Sequence, residues 1–317
     1  MEMAGCDGGM LYIYLKSEKE YQLDLTYEQD YQRTFSIPET TSFLNSTQIE
    51  LIREVVLPAP PEHVLFDFDG TLSLIREGWI DVMSVMMVEI LQETGTDEAP
   101  VSLQELVIEF ILQLNGKQTI YQMFQLAEEV KKRGGKPVEP LEYKAEFHRR
   151  LMVHIHGRRD ALRRGDAAAE RMLVPNSIEL LATLQEKGAQ LYVASGTDQP
   201  YVEEEVSLLG LDQFFAGHIY GAQEDHRAFS KALVIERILQ EHAVDGKRLL
   251  GFGDGYVEIG NIKTVGGVAI AVASDEKERS GTPDPWKRAR LIGIGADIVI
   301  PDYQDFSVLC EYLWQSR

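Results

Sequence analysis

His63-Val64-Leu65-Phe66-Asp67-Phe68-Asp69-Gly70-Thr71 reads as a buried strand that runs straight into acid. Val64, Leu65 and Phe66 make the short continuous apolar run of a parallel strand covered on both faces, and Gly70 ends it. Asp67 and Asp69 therefore fall at the carboxyl end of the strand, the edge of an open α/β sheet where ligands bind. Side chains alternate along a strand, but past the last ladder bond the chain can curl and aim both acids at one pocket. Two like charges that close repel strongly without a cation. Asp69-Gly70 taken alone is equally a turn signal.

Downstream, residues 73 to 172 turn helical. Trp79, Val82, Met83, Met86, Met87 and Ile90 keep three-and-four spacing. Ser102 with Glu105 opens a second helix that Gly116 closes, a third from Ile120 stops at Gly134-Gly135, and Pro140 begins a fourth. Their Met and aromatic stripe predicts packing between helices, hence a four-helix bundle inserted after the first strand. From residue 173 helix and strand alternate, with strands at 190–194, 218–220, 248–252, 268–272 and 298–300 and helices between them from Asn176, Pro200, Ser230, Val257, Trp286 and Asp305. That rhythm predicts an α/β fold with a Rossmann-like parallel sheet.

Upstream, Leu11 to Leu15 and the alternating Tyr21, Leu23, Leu25 and Tyr27 suggest a hairpin. Thr47 and Glu50 have capping-box spacing ahead of Ile49, Leu51, Ile52 and Val55, which predicts a short helix. The expected organisation is an accessory extension over 1–60, a core from 61–78 and 173–317, and a helical cap over 79–172.

The 317 residues suffice for a large core, and 44% hydrophobic with 26% charged residues is an ordinary globular composition. No apolar run has the length of a membrane span, and no basic flank with an apolar core marks a leader. Two cysteines, Cys6 and Cys310, make neither a disulfide framework nor a cysteine metal site, which fits a reducing cytoplasmic compartment. A formal charge of -20 opposes nucleic acid and anionic membranes. An anionic small substrate then needs a local positive centre. Nothing in the sequence sets an oligomeric state.

The other strand ends supply that centre. Ser195-Gly196-Thr197 follows the 190–194 strand and offers free backbone N–H groups and hydroxyl donors, or simply a well-made turn. Lys231 opens a helix where a cation opposes the macrodipole, so it is either solvated or kept there to meet an anion. Gly253-Asp254-Gly255 sets a third carboxylate at a strand end, with Glu258 one turn on; its glycines have the wrong spacing for a dinucleotide fingerprint. Asp67, Asp69 and Asp254 are hard oxygen donors of the kind that suits Mg²⁺, and Lys231 with the amides suits a phosphoryl group.

Asp67-Phe68-Asp69-Gly70-Thr71, Ser195-Gly196-Thr197, Lys231 and Gly253-Asp254-Gly255 with Glu258 together resemble the four motifs of the haloacid dehalogenase superfamily, in order, over roughly residues 62 to 302. The resemblance implies a mobile helical cap of the type inserted after the first motif. It implies Asp67 as nucleophile through an aspartyl-phosphate, Asp69 as the acid that protonates the leaving oxygen and then activates water, and Ser195 and Lys231 as phosphate ligands. Mg²⁺ would be held by Asp67, the Asp69 backbone carbonyl and Asp254; Glu258 stands where many relatives carry Asp. Thr71, Gly196 and Thr197 are further substrate-side candidates, as are Arg76 on the flap and Lys117 and Gln118 on the cap.

The expected function is a Mg²⁺-dependent phosphomonoester hydrolase acting on a small phosphorylated metabolite, and the cap type points by analogy to a sugar phosphate. The rivals are a phosphomutase of the same fold and a non-catalytic phosphometabolite-binding module. Dehalogenation leaves Asp69 without a task, and phosphonate cleavage requires a cap lysine, for which Lys117 is available. Arg149, Arg150, Arg158, Arg159, Arg163 and Arg164 form a basic run, either a solvated helix face or an attractor for the substrate.

Overall fold

The computed structural model describes residues 30–55, 57, 59–166 and 169–314. β1 (Ser42–Phe43) and β2 (Glu50–Leu51) precede the central strand β3 (His63–Phe66). Four helices follow it: α1 (Trp79–Gln92), α2 (Pro100–Gln113), α3 (Ile120–Lys132) and α4 (Pro140–Arg164). The chain returns through α5 (Ser177–Glu186), β4 (Gln190–Asp198), α6 (Gln199–Leu208), α7 (Asp212–Phe215) and β5 (Ile219–Ala222). It continues with α8 (Lys231–His242), β6 (Leu249–Gly253), α9 (Tyr256–Thr264), β7 (Val268–Val272), α10 (Pro285–Ile294), β8 (Ile298–Ile300) and α11 (Phe306–Trp314).

One sheet carries the eight strands of the described residues in the order β1-β2-β8-β7-β6-β3-β4-β5. β3 lies between β4 and β6 and is parallel to both. From β3 the chain winds outward through β4 and β5, then crosses back and winds the other way through β6, β7 and β8. The switch point is therefore the crevice between β3 and β6, where such sheets place ligands. Alternation explains the continuous apolar run: Val64 and Phe66 join the core containing Leu181, Phe215 and Leu313, whereas Leu65 joins Ile235, Ile238, Ile259 and Ile262 on the other face.

The backbone passes between sheet and four-helix bundle twice, and the two passages run side by side. Leu74 N donates to Met172 O at 2.8 Å and Val174 N to Leu72 O at 2.9 Å, with Ser73 and Leu173 as an antiparallel bridge.

Several local expectations are corrected. The helix expected from Thr47 is instead a tight turn into β2, which pairs antiparallel with β8. Thr47 Oγ1 donates to Leu44 O at 2.6 Å and accepts from Ile49 N at 3.1 Å, closing the turn rather than capping a helix. Glu50 is drawn away to Arg288, whose Nε reaches it at 2.6 Å, so the capping partner is lost to a distant cation. α2 begins at Pro100, ahead of Ser102, because proline suits the first helical turn. Asn176 adopts a left-handed conformation (φ 63°) and makes no side-chain cap. The arginines of α4 are each engaged: Arg149 and Arg150 with Glu146, Arg158 with Glu77, Arg159 and Arg163 with Glu204, and Arg164 with Asp166. The hairpin expected over residues 11 to 27 lies outside the described residues, and no described helix is long and apolar enough to cross a membrane.

α4 packs on α6 through a ring pair, His148 on Tyr201, with centroids 3.8 Å apart, and through Arg159–Glu204, while Lys144 pairs with Asp198 at the end of β4. Burial, with Arg76, Arg159 and Lys144 nearby, pushes the His148 imidazole down to about 4. A base with a depressed folded pKa binds fewer protons folded than unfolded. Its neutral form is therefore stable above the unfolded value of 6.5, and stability is lost as pH falls from there toward 4. Thermal unfolding followed by circular dichroism should show the midpoint dropping across this window, less steeply in His148→Phe. Equal slopes would remove His148 from the account.

Candidate active site

The ends of β3 and β6 bring the first and last acids together. Asp67 N continues the ladder to Phe252 O at 2.9 Å, and Thr71 Oγ1 accepts from Asp254 N at 3.0 Å. Lys231, at the first position of α8, is fully enclosed. Its Nζ donates to Asp67 Oδ1 at 2.8 Å and to Glu258 Oε2 at 2.7 Å. The Ser230 hydroxyl caps that helix by accepting from Leu233 N. Glu258 Oε1 accepts from Gly255 N, so both its oxygens are in use.

On the other flank, Asp69 Oδ2 accepts from Thr197 Oγ1 at 2.8 Å. Asp69 Oδ1 is buried without a hydrogen-bond partner among the described residues, with Arg76 Nε at 3.7 Å. Arg76 gives its fork to Glu205, Nε to Oε2 at 2.9 Å and Nη2 to Oε1 at 3.0 Å. Ser195 Oγ accepts from Thr197 N at 3.1 Å, which leaves its own proton available to a ligand.

Asp254 has a second cation. Lys287, near the start of α10, donates to Asp254 Oδ2 at 2.8 Å, Ser274 Oγ at 3.0 Å and Glu276 Oε1 at 2.6 Å. The approach of these groups requires glycine at position 70. Its φ is +75°, and a Cβ there would stand 2.2 Å from Asp254 Oδ2.

Negative charge is in excess, and this raises acids and bases alike. Burial and the neighbouring Glu258 and Asp254 lift the Asp67 carboxyl well above its ordinary range, with Lys231 partly opposing. Burial, against the pull of Arg76, pushes Asp69 up to about 6. Burial opposes the charge on Lys231, but Asp67 and Glu258 outweigh it and hold the ammonium. Asp67, Asp254 and Glu258 each present an oxygen within 4.8 Å of the others. Glu258 spends both oxygens on Lys231 and Gly255, but Asp67 and Asp254 are hard donors whose repulsion a divalent cation would relieve, so they fit Mg²⁺.

One cavity of about 90 Å³ joins these groups, room for several waters. Asp67, Asp69, Ser195, Gly196, Thr197, Lys231 and Asp254 all line it, as do Arg76 and Lys117. Glu258, Thr71 and Gln118 do not. Thr71 is fully buried, its hydroxyl spent on Asp254 N and its carbonyl on the Tyr303 hydroxyl. Gln118 Nε2 donates to His226 O at 3.0 Å and Phe229 O at 2.8 Å, tying the α2–α3 loop to the segment before α8. Lys117 Nζ is 2.6 Å from Asp30 Oδ1 and sits over the Tyr121 ring.

Sequence reasoning missed Glu205, Lys287, Glu276 and, in the helical insertion, Asn115, Thr119 and Gln122, which also line the cavity or support it. Gly116 carried a readable signal. It reads as a helix stop, yet its backbone also seats against Gly255, with a Cβ there 3.2 Å from Gly255 Cα.

A largely parallel α/β sheet with acids at its switch point thus lies under a helical insertion. The family model described as haloacid dehalogenase-like hydrolase matches residues 61–266, and the chain belongs to that family. No curated protein matches. Among solved structures, a predicted phosphoglycolate phosphatase from Haemophilus somnus is similar at 16% identity and a TM-score of 0.51, covering 78% of this chain and 97% of that one. A conserved haloacid dehalogenase-like protein from Agrobacterium tumefaciens is similar at 18% identity and 0.51, covering 80% and 99%. A beta-phosphoglucomutase from Clostridium difficile is similar at 13% and 0.50, covering 80% and 97%. At these identities the likeness is one of fold.

Glu205 is fully buried and its charge is matched by Arg76. Glu205→Gln leaves a buried guanidinium short of its partner and should cost about 3 kcal/mol in urea unfolding at pH 7, whereas a loss below about 1 kcal/mol would mean that the pair contributes little.

Proposed function

We propose that the chain is a Mg²⁺-dependent phosphomonoester hydrolase acting on a small phosphorylated metabolite, with residues 79–172 as its cap. The observation that carries this reading is the sharing of one cavity by two differently held acids, Asp67 on Lys231 and Asp69 on Thr197. A nucleophile and a proton carrier need that division of labour.

In this reading Asp67 attacks phosphorus through a carboxylate oxygen, and the bond to the leaving oxygen breaks as Asp69 supplies its proton. Asp69 then takes a proton from water, whose oxygen attacks the acyl phosphate, releasing phosphate and restoring Asp67. The Lys231 ammonium and the Ser195 hydroxyl meet the non-bridging oxygens, with the amides around Gly196 beside them. Mg²⁺, held by Asp67, the Asp69 carbonyl and Asp254, would neutralise charge on the transferring group. Glu258 serves chiefly to hold Lys231 in place.

The leaving group faces Asn115, Thr119 and Gln122. Gln122 Oε1 is buried without a partner among the described residues and is an acceptor suited to a substrate hydroxyl. The cations on that side are already matched, Lys117 by Asp30 and Arg76 by Glu205. These features favour a hydroxyl-bearing, sugar-phosphate-like substrate over a phosphorylated carboxylic acid.

A panel of phosphorylated metabolites, assayed for free phosphate with and without Mg²⁺, tests the proposal. Wild type should release phosphate only with the metal, and Asp67→Asn should abolish release with circular dichroism unchanged. Asp69→Asn should be nearly as damaging. Undiminished turnover in Asp67→Asn would refute the assignment, and phosphate moved to a second sugar without release would identify a mutase.

A further inference from the structure

Lys287 lies outside the four motifs, yet it is the most thoroughly bonded cation of the site. All three of its ammonium protons are used, on Asp254 Oδ2, Ser274 Oγ and Glu276 Oε1. Ser274 Oγ passes the connection on, donating to Gly70 O at 2.6 Å. One lysine thus ties the carboxylate at the end of β6 to the loop that follows β3, through partners that Lys231 does not share. The Lys287 side chain is only 11% exposed, and Ser274 is buried.

We infer that Lys287, with Ser274, is a positioning residue for the divalent cation: it fixes which oxygen of Asp254 is spent on protein and which faces the acids of β3. This rests on the metal-dependent reading above. Asp254 Oδ2 is occupied by the lysine, and Oδ1 takes no hydrogen bond among the described residues. Ser274 meanwhile holds the peptide next to that of Asp69, whose own carbonyl is the one neutral protein donor proposed for the metal. Groups that orient metal ligands in this way typically govern affinity as strongly as the ligands themselves. A lysine acting as a bare counter-charge has the opposite consequence, because it repels the cation and its removal tightens binding.

The test is direct titration of metal-free protein with Mn²⁺, with free ion read by electron paramagnetic resonance and no substrate present. Lys287→Met should weaken Mn²⁺ binding about 10- to 100-fold. Ser274→Ala, which keeps every charge, should weaken it about 5-fold through loss of one hydrogen bond. The KM for p-nitrophenyl phosphate at saturating Mg²⁺ should stay near wild type in both, a split that general loosening of the fold does not produce. Unchanged or tighter binding in Lys287→Met overturns the inference while leaving the proposed activity intact. If Lys287→Met does not fold, the Ser274→Ala titration decides, and wild-type affinity there overturns the inference. Absence of Mn²⁺ binding in wild type overturns both it and the metal-dependent reading.

Discussion

Three cations shared among six carboxylates hold this site in shape. Arg76 stands between Glu205 and Asp69, Lys231 between Asp67 and Glu258, and Lys287 between Asp254 and Glu276. Buried ion pairs contribute little net stability, since desolvation offsets most of their attraction. Their value here is geometric. The six acids come from four segments of the chain, those after β3, in α6, after β6 and after β7, and without interleaved cations their repulsion would drive those segments apart. The remaining excess of negative charge leaves the pocket suited to a divalent ion.

The sheet determines where this happens. β3 and β6 are neighbours at the point where the winding reverses, so their ends open onto a crevice that no crossover helix fills. The loop between α2 and α3 closes that crevice from above. Backbone meets backbone there, and a Cβ on Gly196 would stand 2.9 Å from Lys117 O. Glycine is needed on the core side for the loop to seat, and Gln118 then anchors it through two backbone carbonyls.

Much of this was legible in the chain because the strands are covered on both faces. β7 and β8 fall at 268–272 and 298–300 as their apolar runs dictate, and the acids lie where those of β3 and β6 end. The residues that escaped notice have no local signature. Glu205 sits in the run Glu203-Glu204-Glu205, which reads as a solvated helix start, and only its burial against Arg76 distinguishes it. Lys287 reads as one basic residue in the first turn of α10. Thr47 and Glu50 mislead for the complementary reason: the local spacing favours a helix, but β8 offers an open edge and Arg288 a cation for the buried Glu50, and tertiary contacts win.

The convergence of Asp67, Asp69 and Asp254 on one cation is open to direct measurement by anomalous diffraction from crystals soaked in Mn²⁺. The account predicts one strong peak in the crevice between β3 and β6, bonded to the carboxylates of Asp67 and Asp254 and to the backbone carbonyl of Asp69. A peak elsewhere, or none at this crevice at saturating metal, would contradict it.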